Sequence, residues 1–308
     1  MKSLITGCAG FIGSHLAEKL LQEGHKVIGI DCFTDYYPRS IKENNIKNIL
    51  DHENFTFIEK DILNITQFPE VDYVFHQAAQ AGVRASWGKT FETYTLNNIL
   101  ATQKLLEYYK NRNIRKFVFA SSSSIYGNVN KLPIHEEAPK SPFSPYGVTK
   151  LAAEDLCSLY YMNYGTPTVS LRYFTVYGPR QRPDMGINKF AHAALDGGVI
   201  KVYGDGSQTR DFTYISDVVW ANLLAAESDV VGESFNIGGG SRISVNDLIG
   251  LISGVAGKDM QVKYIEVQKG DVLDTYADVT KAKKMIGYMP WVGIEDGVKK
   301  YVESIIHQ

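Results

Sequence analysis

The stretch Lys2-Ser-Leu-Ile-Thr-Gly7-Cys-Ala-Gly10-Phe-Ile-Gly13 carries the reading of the fold. Lys2 to Thr6 reads as a short strand, three glycines follow at a spacing of three, and Ser14 to Glu23 has helical spacing. Strand, glycine turn and helix in this order suit a dinucleotide. Gly7 permits the tight turn, Gly10 lets the backbone approach a pyrophosphate, and Gly13 lets the helix pack closely with its N-terminus toward the anion. A glycine triplet alone is a weak signal. The second strand, Lys26 to Asp31, strengthens it by ending in an acidic residue 18 positions beyond Gly13. A carboxylate there accepts both ribose hydroxyls and repels a 2′-phosphate, which favours NAD over NADP; an aspartate merely closing a strand into a turn is the plainer alternative.

Working outward, Phe55 to Glu59 reads as a third strand followed by Asp61-Ile62, and Tyr73 to His76 as a fourth followed by Gln77-Ala78-Ala79. Thr90 to Asn111 reads as one long helix and Lys116 to Ala120 as a fifth strand. Strands alternating with helices at this interval predict an α/β fold, a Rossmann-type doubly wound parallel sheet whose ligands lie beyond the strands' carboxyl ends. The fifth strand runs into Ser121-Ser122-Ser123-Ser124, which is either a plain loop or a set of hydroxyls placed for a polar substrate. An irregular loop with four prolines, Asn128 to Pro145, then leads to a further helix. After the strand Thr168 to Arg172 the alternation weakens, and a smaller second lobe is expected. Its helices fall at Met185 to Gly197, Ser244 to Ala256 and Ile294 to Ile306.

With 308 residues, 44% of them hydrophobic and 21% charged, the chain belongs among ordinary globular proteins. A net charge of -2 provides no basic field for nucleic acid or a membrane surface. Cys8, Cys32 and Cys157 have neither disulfide nor metal-ligand spacing, so we expect reduced thiols and no metal. No apolar run is long enough to span a bilayer, and the N-terminal residues read as a strand and not as a leader. Cytoplasmic location is the expectation.

The helix after the proline-rich loop opens with Ser144-Pro-Tyr146-Gly-Val-Thr-Lys150. Residues four apart share a helix face, so Lys150 can hold the Tyr146 phenol as a phenolate. Ionising a phenol of pKa ~10 near neutrality asks the site for roughly 4 kcal/mol. One cation assisted by a positively charged ring can supply that. The spacing alone equally describes a surface tyrosine and a helix-capping lysine.

Taken together, the glycine-rich start, Asp31, the serine run, Tyr146-Gly-Val-Thr-Lys150 and Arg210-Asp211-Phe212 resemble the extended short-chain dehydrogenase/reductase family, and within it the nucleotide-sugar epimerases. The resemblance spans nearly the whole chain. It implies an NAD-binding domain over residues 1–173, to which 213–237 return, and a nucleotide-sugar lobe over 174–212 and 238–308. Gly7, Gly10, Phe11, Ile12 and Gly13 would cradle the pyrophosphate, with Asp31 on the adenosine ribose and Asp61 and Ile62 beside the adenine. Gln77 and Ala78 are further cofactor positions, and Asn97, Tyr146, Lys150 and Tyr173 match the nicotinamide half. Ser122 is implied as the hydroxyl partner of Tyr146. In the second lobe Asn188, Tyr203 and Arg210 match positions that hold the nucleotide. Where uridine-nucleotide epimerases commonly carry a basic residue before the late Gly-Asp, this chain has Gln268-Lys269.

Arg172-Tyr-Phe-Thr175, Gly178-Pro-Arg-Gln-Arg182-Pro-Asp-Met185 and Asp35-Tyr-Tyr-Pro-Arg39 are similar to the UDP-glucuronate 4-epimerase subgroup. Arg182 would clamp a C6 carboxylate, with Thr175, Ser123 and Ser124 as further donors and Arg84 as a second candidate near carboxylate or phosphate. The implied reaction is oxidation at C4 to a transient 4-keto sugar, rotation, and reduction on the other face. UDP-glucose or UDP-N-acetylglucosamine 4-epimerase is the rival, and UDP-glucuronate decarboxylase a further one; a non-catalytic NAD sensor is the alternative of another class. Resemblance also implies a homodimer packed through the helices at 90–111 and 145–164.

Overall fold

The structure, a computed structural model, describes residues 1–306. Its strands are β1 (Lys2–Thr6), β2 (Lys26–Asp31), β3 (Phe55–Glu59), β4 (Tyr73–His76), β5 (Lys116–Ser122) and β6 (Thr168–Tyr173), then β7 (Thr175–Tyr177), β8 (Val199–Tyr203), β9 (Thr209–Tyr214), β10 (Glu233–Ile237), β11 (Arg242–Ser244) and β12 (Gln261–Ile265). Seven of these form one sheet in the order β10-β6-β5-β4-β1-β2-β3. Every pairing in it is parallel. The Rossmann-type doubly wound sheet is therefore present. The strand order reverses between β1 and β4, and a crevice opens at such a switch point. Gly7 follows one of these strands and Gln77 the other.

Side chains alternate along each strand, which is why the sheet has two cores. Ile5, Phe75, Val118 and Val169 face the helices Phe11–Gln22 and Ile215–Glu227. Leu4, Val74, Phe117 and Phe119 face the helices Ala101–Tyr109 and Pro145–Tyr164. Burial on both faces explains why these strands read as nearly continuous apolar runs.

Beyond β6 the chain builds a smaller layer. β9 pairs in parallel with β7 and antiparallel with β11, while β8 and β12 form a separate parallel pair. The helices Gly186–Asp196, Val245–Ala256 and Ile294–Ile306 pack on it, and their apolar faces join the core of the first sheet. Between these segments the chain crosses back: Ile215–Glu227 lies on the large sheet and β10 forms its edge.

Two elements differ from the sequence reading. The first helix starts at Phe11, ahead of the expected Ser14, because the extended Gly10 is its N-cap. The expected unbroken helix from 90 to 111 is interrupted: Phe91–Tyr94 is α-helical, Thr95–Leu100 is a π-helical segment, and Ala101–Tyr109 is α-helical again. Such π segments occur often at functional sites, and this one borders the crevice.

Candidate active site

The crevice begins at the glycine turn. Gly7 has φ of +70°, and a Cβ on Gly13 would stand 2.1 Å from the Gly7 carbonyl oxygen, so strand and helix close on each other only without a side chain there. The first helical turn contains no acidic residue and its cap makes no side-chain hydrogen bond. Its free N–H groups and the dipole therefore favour an anion. At the end of β2 the Asp31 carboxylate is fixed by two backbone donors, Ala9 N–H at 3.0 Å and Phe33 N–H at 2.9 Å. Burial raises its pKa, and those two N–H groups oppose the rise. Each oxygen retains lone-pair capacity for a ribose hydroxyl.

Asp31, Asp61, Ile62, Ala78 and Asn97 line one cavity together. Asp61 caps the short turn Ile62–Asn64 through Leu63 N–H at 2.8 Å. Asn97 thus lies on the side of Asp61 and Ile62 and not beside Tyr146, where the resemblance placed it. A second cavity continues from the glycine turn past Phe11 and Ile12 to Gln77, Tyr146, Lys150, Tyr173 and Arg182. A two-part crevice, with a glycine cradle at its bend and a fixed carboxylate at one end, fits a dinucleotide.

Tyr146 and Lys150 project from the helix Pro145–Tyr164. Ser144 caps it by accepting from Gly147 N–H at 3.1 Å, and Pro145 occupies its first turn. A Cβ on Gly147 would lie 2.5 Å from the Ser124 carbonyl oxygen. This glycine is what lets the helix start approach the serine run. Ser122 Oγ accepts from Ser124 N–H at 3.1 Å, leaving its proton free to be donated. Burial raises the Tyr146 pKa, while the Ser122 hydroxyl and then the Arg182 charge pull it back. Lys150 is lowered to about 8 by burial, against the nearby Cys157 and Glu154.

Sequence reasoning passed over several residues here. Asn98 clamps the crevice wall: its side-chain oxygen accepts from Gln80 N–H at 2.7 Å, and its Nδ2 donates to Thr149 Oγ1 at 2.9 Å. Asn222 donates to Tyr173 Oη at 2.8 Å and accepts from Gln77 Nε2 at 2.9 Å. Lys42 lines the cavity near Asp31. The Asn97-Asn98 pair offered a faint signal for the first. Asn222 and Lys42 carried none, since each is an ordinary residue of its helix until the chain folds.

A third cavity, of about 450 Å³, contains Arg84, Thr175, Tyr203 and Arg210. Arg84 lies over the Tyr203 ring, 3.8 Å from its centre, and pairs with Asp271 at 2.7 Å. Arg210 donates to the Leu273 carbonyl at 2.8 Å and to that of Val272 at 2.6 Å. Burial lowers the Arg210 pKa, with Asp271 and Asp274 opposing. Asn188 is not among the lining residues: its amide donates to the Gln181 carbonyl at 3.1 Å and to Tyr301 Oη at 2.8 Å. Ser123 and Ser124 form a short turn and line none of the three cavities, whereas Ser121 does line the one holding Tyr146. A roomier groove of about 1070 Å³ between Trp87, Phe143 and Leu273 contains none of the candidate catalytic groups.

Residues 3–238 match the model of the NAD dependent epimerase/dehydratase family, and the chain belongs to that family. It is 45% identical over 303 residues to the uncharacterized UDP-glucose epimerase YtcB of Bacillus subtilis (strain 168), covering 97% of this chain and 96% of that one. It is 40% identical over 307 residues to a UDP-glucuronate 4-epimerase of Thermodesulfobacterium geofontis (strain OPF15), covering 97% and 94%. The crystal structure of UDP-glucuronic acid 4-epimerase from Bacillus cereus in complex with UDP-glucuronic acid and NAD superposes with a TM-score of 0.97 at 42% identity, covering 100% of this chain and 99% of that one.

Proposed function

We propose that this protein is an NAD-dependent 4-epimerase that interconverts UDP-glucuronate and UDP-galacturonate through a transient 4-keto sugar. One observation carries the uronate assignment: the Arg182 guanidinium lines the same cavity as Tyr146 and Lys150. The relatives named for UDP-glucuronate, one of them seen with that sugar and NAD, support it. The glycine cradle, Asp31, Asp61, Ile62, Gln77, Ala78, Asn97, Lys150 and Tyr173 hold the cofactor.

Bound NAD supplies a reversible hydride acceptor for sugar C4. The Tyr146 phenolate takes the proton from the C4 hydroxyl, and Ser122 shares its hydrogen-bond path. Lys150 stabilises the phenolate. Arg210, with Tyr203 beside the base, holds the nucleotide while the keto sugar turns; Tyr146 then returns the proton. The 4-keto uronate is a β-keto acid that loses carbon dioxide when its C5–carboxylate bond aligns with the carbonyl π system. Arg182 keeps that bond out of alignment, with Thr175, which lines the neighbouring cavity, as a further donor.

The division into an NAD-binding domain (1–173 with 213–237) and a nucleotide-sugar lobe is our reading of the two layers. The homodimer is proposed through the helical segments at 91–109 and 145–164, whose outer faces expose Leu96, Leu100, Val148, Leu159 and Met162. Cytoplasmic location is proposed on three free cysteines, Cys8, Cys32 and Cys157. No helix among the described residues is long and apolar enough to cross a membrane.

Incubation with each UDP-sugar and chromatographic resolution of the products tests the function. UDP-galacturonate from UDP-glucuronate is expected. Conversion of UDP-glucose or UDP-N-acetylglucosamine with UDP-glucuronate untouched would refute the uronate assignment, and a pentose product would mean decarboxylation.

A further inference from the structure

One side-chain pair separates the two cavities that a nucleotide sugar must span. Arg182 lines the cavity of Tyr146, and Asp184 lines the cavity of Tyr203 and Arg210. Arg182 Nε donates to Asp184 Oδ1 at 2.9 Å and Nη2 donates to Oδ2 at 3.0 Å, a bidentate grip on a carboxylate. Tyr36, from the loop after β2, donates its hydroxyl to Asp184 Oδ2 at 3.1 Å. Gly82 packs against the same hydroxyl: a Cβ there would stand 2.3 Å from Tyr36 Oη. The Tyr36–Asp184 hydrogen bond therefore ties the first lobe to the second, and the Arg182–Asp184 pair stands across the line from the nucleotide to Tyr146.

A carboxylate already occupies the fork that the proposed function assigns to the sugar's C6 carboxylate. The Nε–Nη2 edge of one guanidinium cannot grip two carboxylates at once, and two carboxylates brought to it repel each other. We propose that Asp184 is an internal stand-in for the substrate carboxylate, holding the Arg182 fork and yielding it to the uronate as the sugar enters. The Tyr36 hydroxyl, which donates to the Oδ2 that Arg182 Nη2 grips, helps hold Asp184 in the fork until then. Exchange of one carboxylate for another leaves Arg182 paired throughout. A sugar with CH2OH at C6 breaks the pair and puts no charge in its place. Asp184 is thus a specificity-determining residue for acidic nucleotide sugars. The inference rests on the uronate reading above and adds to it the residue that disfavours neutral sugars.

The test uses the full chain saturated with NAD. Asp184→Asn keeps the shape and removes the competing charge. The KM for UDP-glucuronate is expected to fall about fivefold, because apparent affinity is reduced by the fraction of molecules whose site is held shut. Tyr36→Phe removes a hydroxyl that holds Asp184 in the fork and should lower that KM about threefold, a fall that vanishes in the double variant. A purely structural role would raise KM in both single variants. An unchanged or higher KM in Asp184→Asn, at an unchanged melting temperature, overturns the exchange; Asp184→Ser serves in the same way if the asparagine variant fails to fold. The parent enzyme separates the two readings. If it converts UDP-glucuronate and the variants do not respond as expected, the exchange alone falls. If it converts only UDP-glucose, both fall.

Discussion

Lys150 Nζ lies 4.5 Å from the centre of the Phe119 ring, buried on the sheet side of the helix that also presents Tyr146. The aromatic face offers the ammonium a weak electrostatic partner in place of water. Burial nevertheless outweighs it and lowers the lysine to about 8. The group intended to hold a phenolate is itself close to losing its proton, so the site depends on charges close by.

Replacing Lys150 with Met should abolish turnover and stabilise the fold. A folded-state pKa of about 8 against an ordinary 10.5 means that the buried ammonium opposes folding below pH 8, a penalty that disappears as pH rises toward 10.5. The gain is at most about 3 kcal/mol at pH 7. Denaturant unfolding at pH 7 and pH 10 checks it: the difference between the two proteins should shrink at the higher pH.

Tyr146→Phe should reduce kcat by about 10²- to 10⁴-fold while NAD still binds, the range expected for loss of a positioned general base. Ser122→Ala should have a smaller effect of the same kind. Assays of product formation together with NAD titration of each variant decide this. Undiminished turnover in the phenylalanine variant would remove the proton-transfer role.

Glu154 and Arg172 form a buried ion pair at 2.7 Å, and Ser121 also donates to Glu154 at 2.6 Å. Glu154→Gln leaves Arg172 without a compensating charge, which should cost about 3–5 kcal/mol. A melting-temperature drop of several degrees is expected. Because Ser121 precedes Ser122, kcat should fall as well.

Asp217 is fully buried with Oδ1 lacking a hydrogen-bond partner, and burial raises its pKa to about 6. A carboxyl raised in this way stabilises the fold fully below its ordinary 3.8, and that contribution is lost as pH rises through 6. Asp217→Asn should therefore be more stable than the parent at pH 8 by at most about 3 kcal/mol, with the advantage fading near pH 4. Thermal unfolding across this range is the measurement.

What could be read in the chain beforehand was local. The turn from Gly7 to Gly13 and the pair Tyr146 and Lys150 are short-range patterns, and a helix or turn converts such spacing directly into direction. The π segment at Thr95–Leu100 escaped because apolar periodicity alone does not distinguish it from an α-helix. Asn98, Asn222 and Lys42 escaped because their partners lie far away in sequence: Asn222 and Gln77 are 145 positions apart.

By itself the sequence determined the alternating strands and helices, the dinucleotide turn and the phenol and amine on one helix face, all set by backbone geometry over a few residues. Only the tertiary structure decided that Arg182 faces Tyr146 while Asp184 faces the neighbouring cavity, with the pair between them. That arrangement depends on packing the loop after β7 against the loop after β2, and no local pattern encodes how two distant loops meet.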